Sequence, residues 1–542
     1  TSDCAKTVDK LAEYNFTFAL SHFNFLLYKK CNHMAYVSGF DRTQTALFPV
    51  TVDEMIDENN VVRLVEIFIN GLDLKKLGFE KAVSNEEGRP CYDPADLLKL
   101  YLYGYLNRIR TSRLLERECK RNVELIWLLK GLQPCFRTIA GFRSENPEAF
   151  RNLFRHFVQC CRSWSLIDGD TIGIDSSKFR AVNSKKNNYN QAKIDRQIDH
   201  VNDKIETYFS EMDIADVEEK ETLAEKILQQ TERGLKYDRL QELLISTDTD
   251  QISTTDPDSR SMILHGSVIE VAYNVQTAVD ESNKLIVHYQ TTNTNDRKAL
   301  FPMAYEVKQI CQKNEVKALA DKGYHNGEQL KQCMDNDIIT FVAFQEVNRS
   351  KIVPTPTYYG ERFTYNEKKD QYTCPEGHIM TTTGTWYTKK YRKTSSTQVK
   401  HYKTNACKTC PVRSECTTNP NGRIIDRSEN AEAVEANNRR LLAQKELYQQ
   451  RQQLCEHPFG TIKRQWGYDH ILLKGLKKNN GEFGIIFLVY NFVRAIGILG
   501  FSGLKTRLER CFLSFSEIRR AIERITTLEI FSSYKPLWSV IR

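Results

Sequence analysis

One stretch indicates the fold of this chain more directly than any other: Val316-Lys317-Ala318-Leu319-Ala320-Asp321-Lys322-Gly323-Tyr324. Its first five residues are apolar apart from one lysine, which predicts a buried strand. An aspartate at the carboxyl end of such a strand, with a glycine turn directly after it, lies where α/β sheets place their chemistry. Glycine would let the backbone turn tightly at this point. Asp321 is therefore the first candidate functional residue.

Two further acidic residues have comparable settings. Asp175 directly follows a second apolar run, residues 171–174, and Glu456 lies in the downstream segment 456–460, with Lys463 seven residues after it. Two aspartates at converging strand ends would bind a divalent metal ion through oxygen ligands. Asp, Asp and Glu so far apart in sequence can meet only through the fold, and this combination suits two-metal phosphoryl transfer on nucleic acid.

Length, charge and cysteine content set outer limits. A chain of 542 residues is too long for one compact core, and its net charge of +8 is a mild excess that suggests an anionic partner. The 15 cysteines are an odd number spread over the chain, which indicates a reduced, intracellular protein and not a disulfide scaffold. The apolar run 483–499 contains Asn491 and Arg494, so it predicts a buried helix and no membrane span.

The order of predicted elements between residues 166 and 345 favours a mixed α/β sheet. After the Asp175 strand come an antiparallel pair (270–279 and 285–291), a helix, the Asp321 strand, a second helix and a strand at 338–343. This order matches a ribonuclease-H-like core, with helices on the faces of its sheet. The charged stretch 185–250 has apolar residues at helical spacing, which predicts an inserted helical hairpin that acts as a solvated strut more than as a DNA contact.

The whole chain divides into segments of different character. The predicted parts are a tail of upstream or disordered sequence (1–44), an all-helical DNA-binding domain (45–165), the first part of the core with its helical insertion (166–345), a β-rich insertion with a cysteine cluster (346–427), the second part of the core with the Glu456 helix (428–500) and a C-terminal helical tail (501–542). Pro458 disfavours helical geometry at His457, so we expect Glu456 at a kink or at a helix start.

The N-terminal helices carry a cluster of arginines, Arg108, Arg110, Arg113 and Arg117. Compact helices with an arginine-rich turn are typical of a DNA-binding module. A helical bundle with a solvated basic face has the same composition, and the sequence leaves both interpretations open.

In the β-rich insertion, aromatic residues alternate with cations, and the candidates for DNA contacts are Trp386, Lys389 and Lys390. Aromatic rings can stack on exposed bases while cations neutralise phosphates. A plain antiparallel sheet with one aromatic face is the alternative.

The same insertion contains Cys374, the pair Cys407 and Cys410, and Cys416. Four thiolates can close a tetrahedral structural zinc site. His378 is an alternative ligand, and a vestigial zinc knuckle is an alternative interpretation, because the spacing is looser than that of two CxxC pairs.

Together these stretches resemble the DDE transposases of bacterial insertion sequences, in the branch whose glutamate lies in a Tyr-Arg-Glu-Lys signature. The resemblance spans roughly residues 45–500, and it is carried by residues 138–143, 174–176, 273–276, 320–324 and 456–463, with Tyr490, Asn491 and Arg494 in the following helix. One departure is visible: four residues separate Arg451 from Glu456, where the family signature has three.

The resemblance implies that Asp175, Asp321 and Glu456 bind two Mg²⁺ or Mn²⁺ ions. One ion would activate the attacking water or 3′-hydroxyl, and the other would stabilise the leaving oxygen. This class of enzyme cleaves DNA strands and transfers them to a target.

Further roles follow from the same resemblance. Tyr448, Arg451 and Lys463 would hold phosphates near the cut. The partners would be double-stranded DNA, as terminal inverted repeats and as target, and the enzyme would act as a homodimer on paired ends. The expected location is the bacterial cytoplasm, near the nucleoid.

Two other functions fit the same residues. A decayed or domesticated transposase would bind DNA without catalysis, although three intact carboxylates argue against it. A metal-dependent nuclease on the same core would cut DNA without joining it.

Overall fold

Residues 51–79, 91–344, 352–391 and 395–533 are described by a computed structural model. The predicted tail 1–44 and the last residues of the predicted C-terminal tail, 534–542, lie outside the described residues.

Helices flank a mixed sheet, and smaller sheets follow it. The strands are β1 (Thr171–Arg180), β2 (Asn188–Tyr189), β3 (Ile252–Ser253), β4 (Arg260–His265), β5 (Val268–Asp280), β6 (Ile286–Thr292), β7 (Val316–Ala320), β8 (Ile338–Val342), β9 (Thr364–Asn366), β10 (Gln371–Thr373), β11 (Ile379–Met380), β12 (Trp386–Tyr391), β13 (Ser395–Tyr402) and β14 (Ile425–Ser428). The helices are α1 (Val61–Asn70), α2 (Leu74–Leu77), α3 (Pro94–Leu106), α4 (Ser112–Arg121), α5 (Val123–Leu128), α6 (Phe136–Glu145), α7 (Pro147–Ser163), α8 (Gln191–Ile214), α9 (Val217–Ser246), α10 (Leu300–Cys311), α11 (Gly327–Asp335), α12 (Arg413–Cys416), α13 (Ala431–Ala443), α14 (Lys445–Phe459) and α15 (Leu476–Ser533), the last broken at Gly500.

The central sheet has the predicted ribonuclease-H-like arrangement. Strand β5 pairs antiparallel with β6 and with β1, and β1 pairs parallel with β7, which pairs parallel with β8. Helices α10 and α11 make the crossovers to β7 and β8, as parallel connections require. Strand β4 adds a further antiparallel partner at the start of β5. Strands β7 and β8 are short and mostly buried, as expected for strands covered on both faces.

The N-terminal helices share one hydrophobic core with this sheet. Phe154 of α7 packs edge-on against Tyr289 of β6, with ring centroids 5.0 Å apart, and Phe157 packs against Phe492 of α15. The described residues from Ile56 onward belong to one compact unit. The boundary predicted at residue 165 therefore divides the sequence but does not divide the core.

Helix α15 accounts for the long apolar run. The helical segment Leu476–Cys511 contains a stretch that by length and composition alone would suffice to cross a membrane. Most residues from Phe483 to Ala495 are nevertheless buried in the protein, and Asn491 uses its side chain to bond the backbone of Ile286 in β6. This helix is the buried core helix that the sequence predicts.

The two insertions form separate small clusters. Helices α8 and α9 pack as the predicted hairpin around Ile194, Val201, Tyr237 and Leu240. Strands β9–β14 enclose a second small cluster, Phe363, Tyr372, Met380, Tyr402 and Ile425. Neither cluster is large, so both insertions depend on few apolar contacts.

Candidate active site

Asp175 and Asp321 lie side by side at the edge of the sheet. Ile174 of β1 pairs with Ala320 of β7 in parallel register, so the next residue on each strand is an aspartate, about 5 Å from its neighbour across the sheet. Asp321 caps the short turn that follows β7 by accepting the Gly323 N–H at 2.8 Å. Asp175 accepts the N–H of Ser176 at 2.7 Å. The two strand ends therefore converge as the sequence predicts.

This pair of carboxylates concentrates negative charge. Burial is the main reason why the pKa of Asp175 is raised to about 6; the charges of Asp321 and Asp296 act in the same direction, and the Ser176 N–H and Arg451 oppose them. The Arg451 guanidinium lies 3.6 Å from Asp175 Oδ2. A partly buried aspartate pair with one cation beside it fits the charge of a divalent metal ion.

Helix α14 contributes three side chains to this region. The Arg451 guanidinium interacts electrostatically with both aspartates. Burial raises the pKa of Tyr448 and of Cys455, and the nearby Asp321 adds to both shifts. The helix approaches β1 closely at Gly173, where an added Cβ would lie 2.8 Å from Cys455 Sγ. Glycine is therefore required at this position by space. Tyr448 and Arg451 are thus brought to the aspartates, as predicted.

Glu456 is positioned differently. Its side chain is exposed, and its Oε1 accepts a hydrogen bond from Gln452 at 3.0 Å. It lies one residue beyond Cys455, on the neighbouring edge of α14, and the described contacts do not join it to Asp175 or Asp321. Within the described ranges, no group of three or more His, Cys, Asp or Glu residues is arranged to hold a metal ion. The aspartate pair fits a metal by its chemistry, whereas Glu456 would have to turn toward it.

The expectation of a helix start at Glu456 was wrong. Helix α14 continues through Pro458 to Phe459 and passes into a π-helical turn, Gly460–Gln465. A proline removes one backbone donor, and the buried contacts of Leu454, Cys455 and Phe459 hold the helix together around it. A π-helical turn of this kind is frequent at functional sites.

Lys463 projects from this π-helical turn onto β1. Its Nζ donates to Ser177 Oγ at 2.7 Å and to the carbonyl oxygen of Lys178 at 2.5 Å, and it lies 4.4 Å from the centre of the Phe179 ring. Burial lowers the pKa of Lys463 to about 8. The lysine therefore fastens the turn to the strand that carries Asp175, two residues away from it.

The sequence did not single out Asp296, which lies beside the aspartate pair. Its Oδ1 accepts hydrogen bonds from Asn274 and Gln276, each at 2.7 Å, and Lys178 lies 3.6 Å from its Oδ2. Although burial opposes the effect, the hydrogen bond from Asn274 and the charge of Lys178 hold the pKa of Asp296 below its usual value. The sequence placed it only at the approximate start of the helix 296–312, so only the fold reveals its position beside the aspartates.

The four candidate arginines of the helical region have two different environments. Arg110 is only 6% exposed, donates to the carbonyl oxygen of His470 at 2.8 Å and lies 4.5 Å from the Tyr468 ring. It joins the helices to the segment before α15 and is not available to DNA in this structure. Arg108, Arg113 and Arg117 are exposed.

The predicted aromatic and basic strip lies on β12. Trp386 is 47% exposed, and Lys390 is also exposed. Lys389 instead bonds Asp426 at 2.6 Å. Because side chains alternate along a strand, Trp386 and Lys390 share one face of β12, whereas Lys389 belongs to the other.

The four candidate zinc ligands line one small pocket. Cys374, Cys407, Cys410 and Cys416 all border it, together with His378. The Cys374 Sγ accepts the N–H of His378 at 3.3 Å. Burial raises the pKa of Cys416, and the neighbouring thiols raise it further. Four thiols are a donor set that zinc takes, but they are not arranged around one ion position among the described residues, so the zinc site stays a prediction.

Comparisons with known proteins bear on these sites. Residues 373–496 match the family model of a transposase DDE domain, and residues 50–145 match that of a transposase domain, DUF772. A comparison with curated protein sequences gave no match. Among solved structures, the chain resembles a piggyBac transposase in a synaptic complex with hairpin DNA, studied by cryo-EM, at 10% identity over 90% of this chain and 87% of the other, with a TM-score of 0.31. A likeness this weak carries no information about the fold, which rests on the strand order described above.

Proposed function

We propose that this chain, with its two transposase matches, binds the terminal repeats of an insertion sequence and catalyses metal-dependent DNA cleavage and strand transfer. The observation that carries the proposal is the placement of Asp175 and Asp321 at adjacent strand ends, with Arg451 and Tyr448 beside them. Two divalent ions, Mg²⁺ or Mn²⁺, would supply activation of the attacking oxygen and stabilisation of the leaving oxygen.

The residues of the site would have two roles, metal binding and phosphate binding. Asp175 and Asp321 would hold the cations, and Glu456 would complete the set by a change of side-chain rotamer. Arg451 and Tyr448 would contact phosphate beside the reacting bond, because a guanidinium is suited to bidentate phosphate binding.

DNA binding would extend beyond this centre. The exposed Arg108, Arg113 and Arg117 would contact phosphates of the repeat, as a salt-dependent contribution to affinity. We further propose that the enzyme acts as a homodimer on paired ends, in a bacterial cytoplasm near the nucleoid.

Single carboxylate changes test the chemistry. Asp175→Asn, Asp321→Asn and Glu456→Gln should each abolish cleavage of DNA that contains the element ends, because each removes a cation ligand. DNA binding should persist, since no phosphate-contacting cation is lost. The assay is cleavage by the purified full-length chain with Mg²⁺, alongside binding measured by fluorescence anisotropy.

Matched surface changes provide the control. Asp335→Asn and Glu446→Gln alter exposed carboxylates, the second on α14 itself, and should leave cleavage unchanged. If any of the three site variants cuts at nearly the wild-type rate, that residue is not a ligand. If Glu456→Gln is the only one of the three variants that still cleaves DNA, the metal ligands are Asp175 and Asp321 without Glu456.

A further inference from the structure

Asp296 is held in place by the sheet that carries the aspartate pair. It opens a short turn, Asp296–Lys298, after β6. The two amides that bond its Oδ1, Asn274 and Gln276, both belong to β5 and are fully buried. In the β1–β5 register, Gln276 pairs with Ser176 and Asn274 with Lys178. The carboxylate of Asp296 is therefore bonded to the two β5 residues that pair with β1 directly after Asp175.

A relay of hydrogen bonds connects Asp296 to the turn of Asp321. Gln276 donates from Nε2 to Asp296 and accepts at Oε1 from the hydroxyl of Tyr324. Tyr324 is fully buried and ends the turn that Asp321 caps. Because an amide donates only through its nitrogen and accepts only through its oxygen, the carboxylate of Asp296 fixes which way Gln276 faces. That orientation in turn fixes Tyr324.

Gly323 lies between the two carboxylates. An added Cβ would be 3.0 Å from Asp321 Oδ1 and 3.7 Å from Asp296 Oδ2. The chain does form a short turn at Lys322–Tyr324, but Gly323 is not among the described glycines with positive φ, so left-handed geometry does not explain it. The close approach of Asp321 is what an added side chain would disturb.

We propose that Asp296 is a positioning residue for the divalent cation bound by Asp175 and Asp321. It anchors the Asp321 turn through Gln276 and Tyr324, and it places a third fixed negative charge beside the pair. The inference rests on the proposed function, because it presupposes that the aspartate pair binds a metal ion.

Mn²⁺ binding to the full-length chain, followed by electron paramagnetic resonance, tests this without an activity assay. Asp296→Asn removes the negative charge and replaces Oδ2, the oxygen that faces Lys178, with an amide nitrogen, so it should weaken Mn²⁺ binding about 10–100-fold, the range found for outer partners of metal ligands. Tyr324→Phe removes only the hydroxyl of the relay and should weaken binding in the same direction by a smaller factor. Asp335→Asn is the matched control and should bind as the wild type does.

Two kinetic quantities, the Mn²⁺ concentration for half-maximal rate and the rate at saturating Mn²⁺, distinguish a positioning role from general loss of structure. Cleavage by Asp296→Asn should need more Mn²⁺ for half-maximal rate, and it should approach the wild-type rate at saturating Mn²⁺. Asp175→Asn should not be rescued in this way. If Asp296→Asn fails to fold, as judged by circular dichroism, Tyr324→Phe decides: weaker Mn²⁺ binding supports the proposal and unchanged binding overturns it.

The remaining outcomes distinguish the two proposals. Wild-type binding that is lost in Asp175→Asn but unchanged in Asp296→Asn overturns the positioning role and leaves the metal centre intact. Weak binding by Asp296→Asn with normal binding by Tyr324→Phe overturns the relay and leaves the negative charge of Asp296 as its contribution to metal binding. Absence of Mn²⁺ binding by the wild type overturns the proposed metal centre and this inference together.

Discussion

Lys463 combines a structural contact with a predicted DNA contact in a single residue. Its ammonium group is mostly removed from water, and its partners are a hydroxyl and a carbonyl oxygen of β1. A buried ammonium without a carboxylate partner loses solvation, which is why the pKa falls from 10.5 to about 8. The lysine thus holds the π-helical turn in place, and the contribution of its buried charge to the free energy of unfolding depends on pH.

This pH dependence can be measured. Between pH 8 and 10.5, the unfolded chain binds more protons at this residue than the folded chain does, so the contribution of Lys463 to stability rises with pH. Lys463→Met lacks this contribution. The wild type should therefore gain about 1–2 kcal/mol relative to the variant between about pH 7.5 and about pH 9.5, measured as the difference in melting temperature.

Lys474→Met is the matched control, because Lys474 is exposed; its difference from the wild type should stay constant with pH. Parallel pH curves for Lys463→Met and the wild type would show that Lys463 is solvated and free to contact DNA without a change of conformation.

Individual residues were predictable from sequence where a strand or a signature fixed them. Asp321 follows an apolar strand and is followed by glycine, so its position was evident. Arg110 looked like its neighbouring arginines, yet it is buried against Tyr468. The position of Asp296 beside the aspartate pair depends on the β1–β5 register. Pairing between strands about a hundred residues apart cannot be predicted from a local sequence pattern.

At the scale of elements, the order of strands and helices was predictable because each strand is a short apolar run with clear ends. The course of α14 was not, since the local rule for proline at Pro458 is overridden by the packing of Leu454, Cys455 and Phe459 on the sheet. The sequence therefore placed Glu456 on the helix after the β-rich insertion but did not show that this helix continues through Pro458 to Phe459.

The β-rich insertion is the element that most needs extra stabilisation. Its cluster of buried apolar residues is small, and small modules usually need a metal or a cross-link to remain folded. We predict one zinc ion per chain, held by Cys374, Cys407, Cys410 and Cys416, in protein purified without chelator. Elemental analysis measures the ratio, and chelation should make the insertion sensitive to protease.

The control for zinc is Cys135→Ser, because Cys135 is an exposed thiol outside the insertion. It should retain the metal, whereas Cys410→Ser should lose it. Active protein that contains no zinc would leave the four cysteines as packing residues.

At the scale of the whole molecule, the shared core decides how DNA binding can be studied. Tyr105 of α3 bonds the buried Glu482 of α15, and Tyr468 bonds the carbonyl oxygen of Tyr105. A fragment containing only the N-terminal helices would expose these groups and the aromatic face of α7. Binding to element ends is therefore best measured with full-length variants at exposed positions such as Arg113 and Arg117.

The last prediction separates a transposase from a nuclease. Joining requires a surface for a second DNA segment, and the face of β12 that carries Trp386 and Lys390 is our candidate. Trp386→Ala and Lys390→Glu should reduce strand transfer of pre-cleaved ends into plasmid DNA with Mn²⁺ more than they reduce metal-dependent nicking, because an exposed ring and cation suit base stacking and phosphate contact. Lys389→Glu is less informative, since it would place a carboxylate against Asp426 and disturb the sheet itself.

Lys369→Glu reverses an exposed charge elsewhere in the same insertion and should leave the ratio of joining to nicking unchanged. Equal loss of joining and nicking in the β12 variants would remove this face from target handling while leaving the enzyme a transposase. Efficient cleavage with no joined product, in the wild type and under every divalent metal, would favour a nuclease. The reason is that the same aspartate pair serves attack by water or by a 3′-hydroxyl, so only a second DNA-binding surface makes the difference.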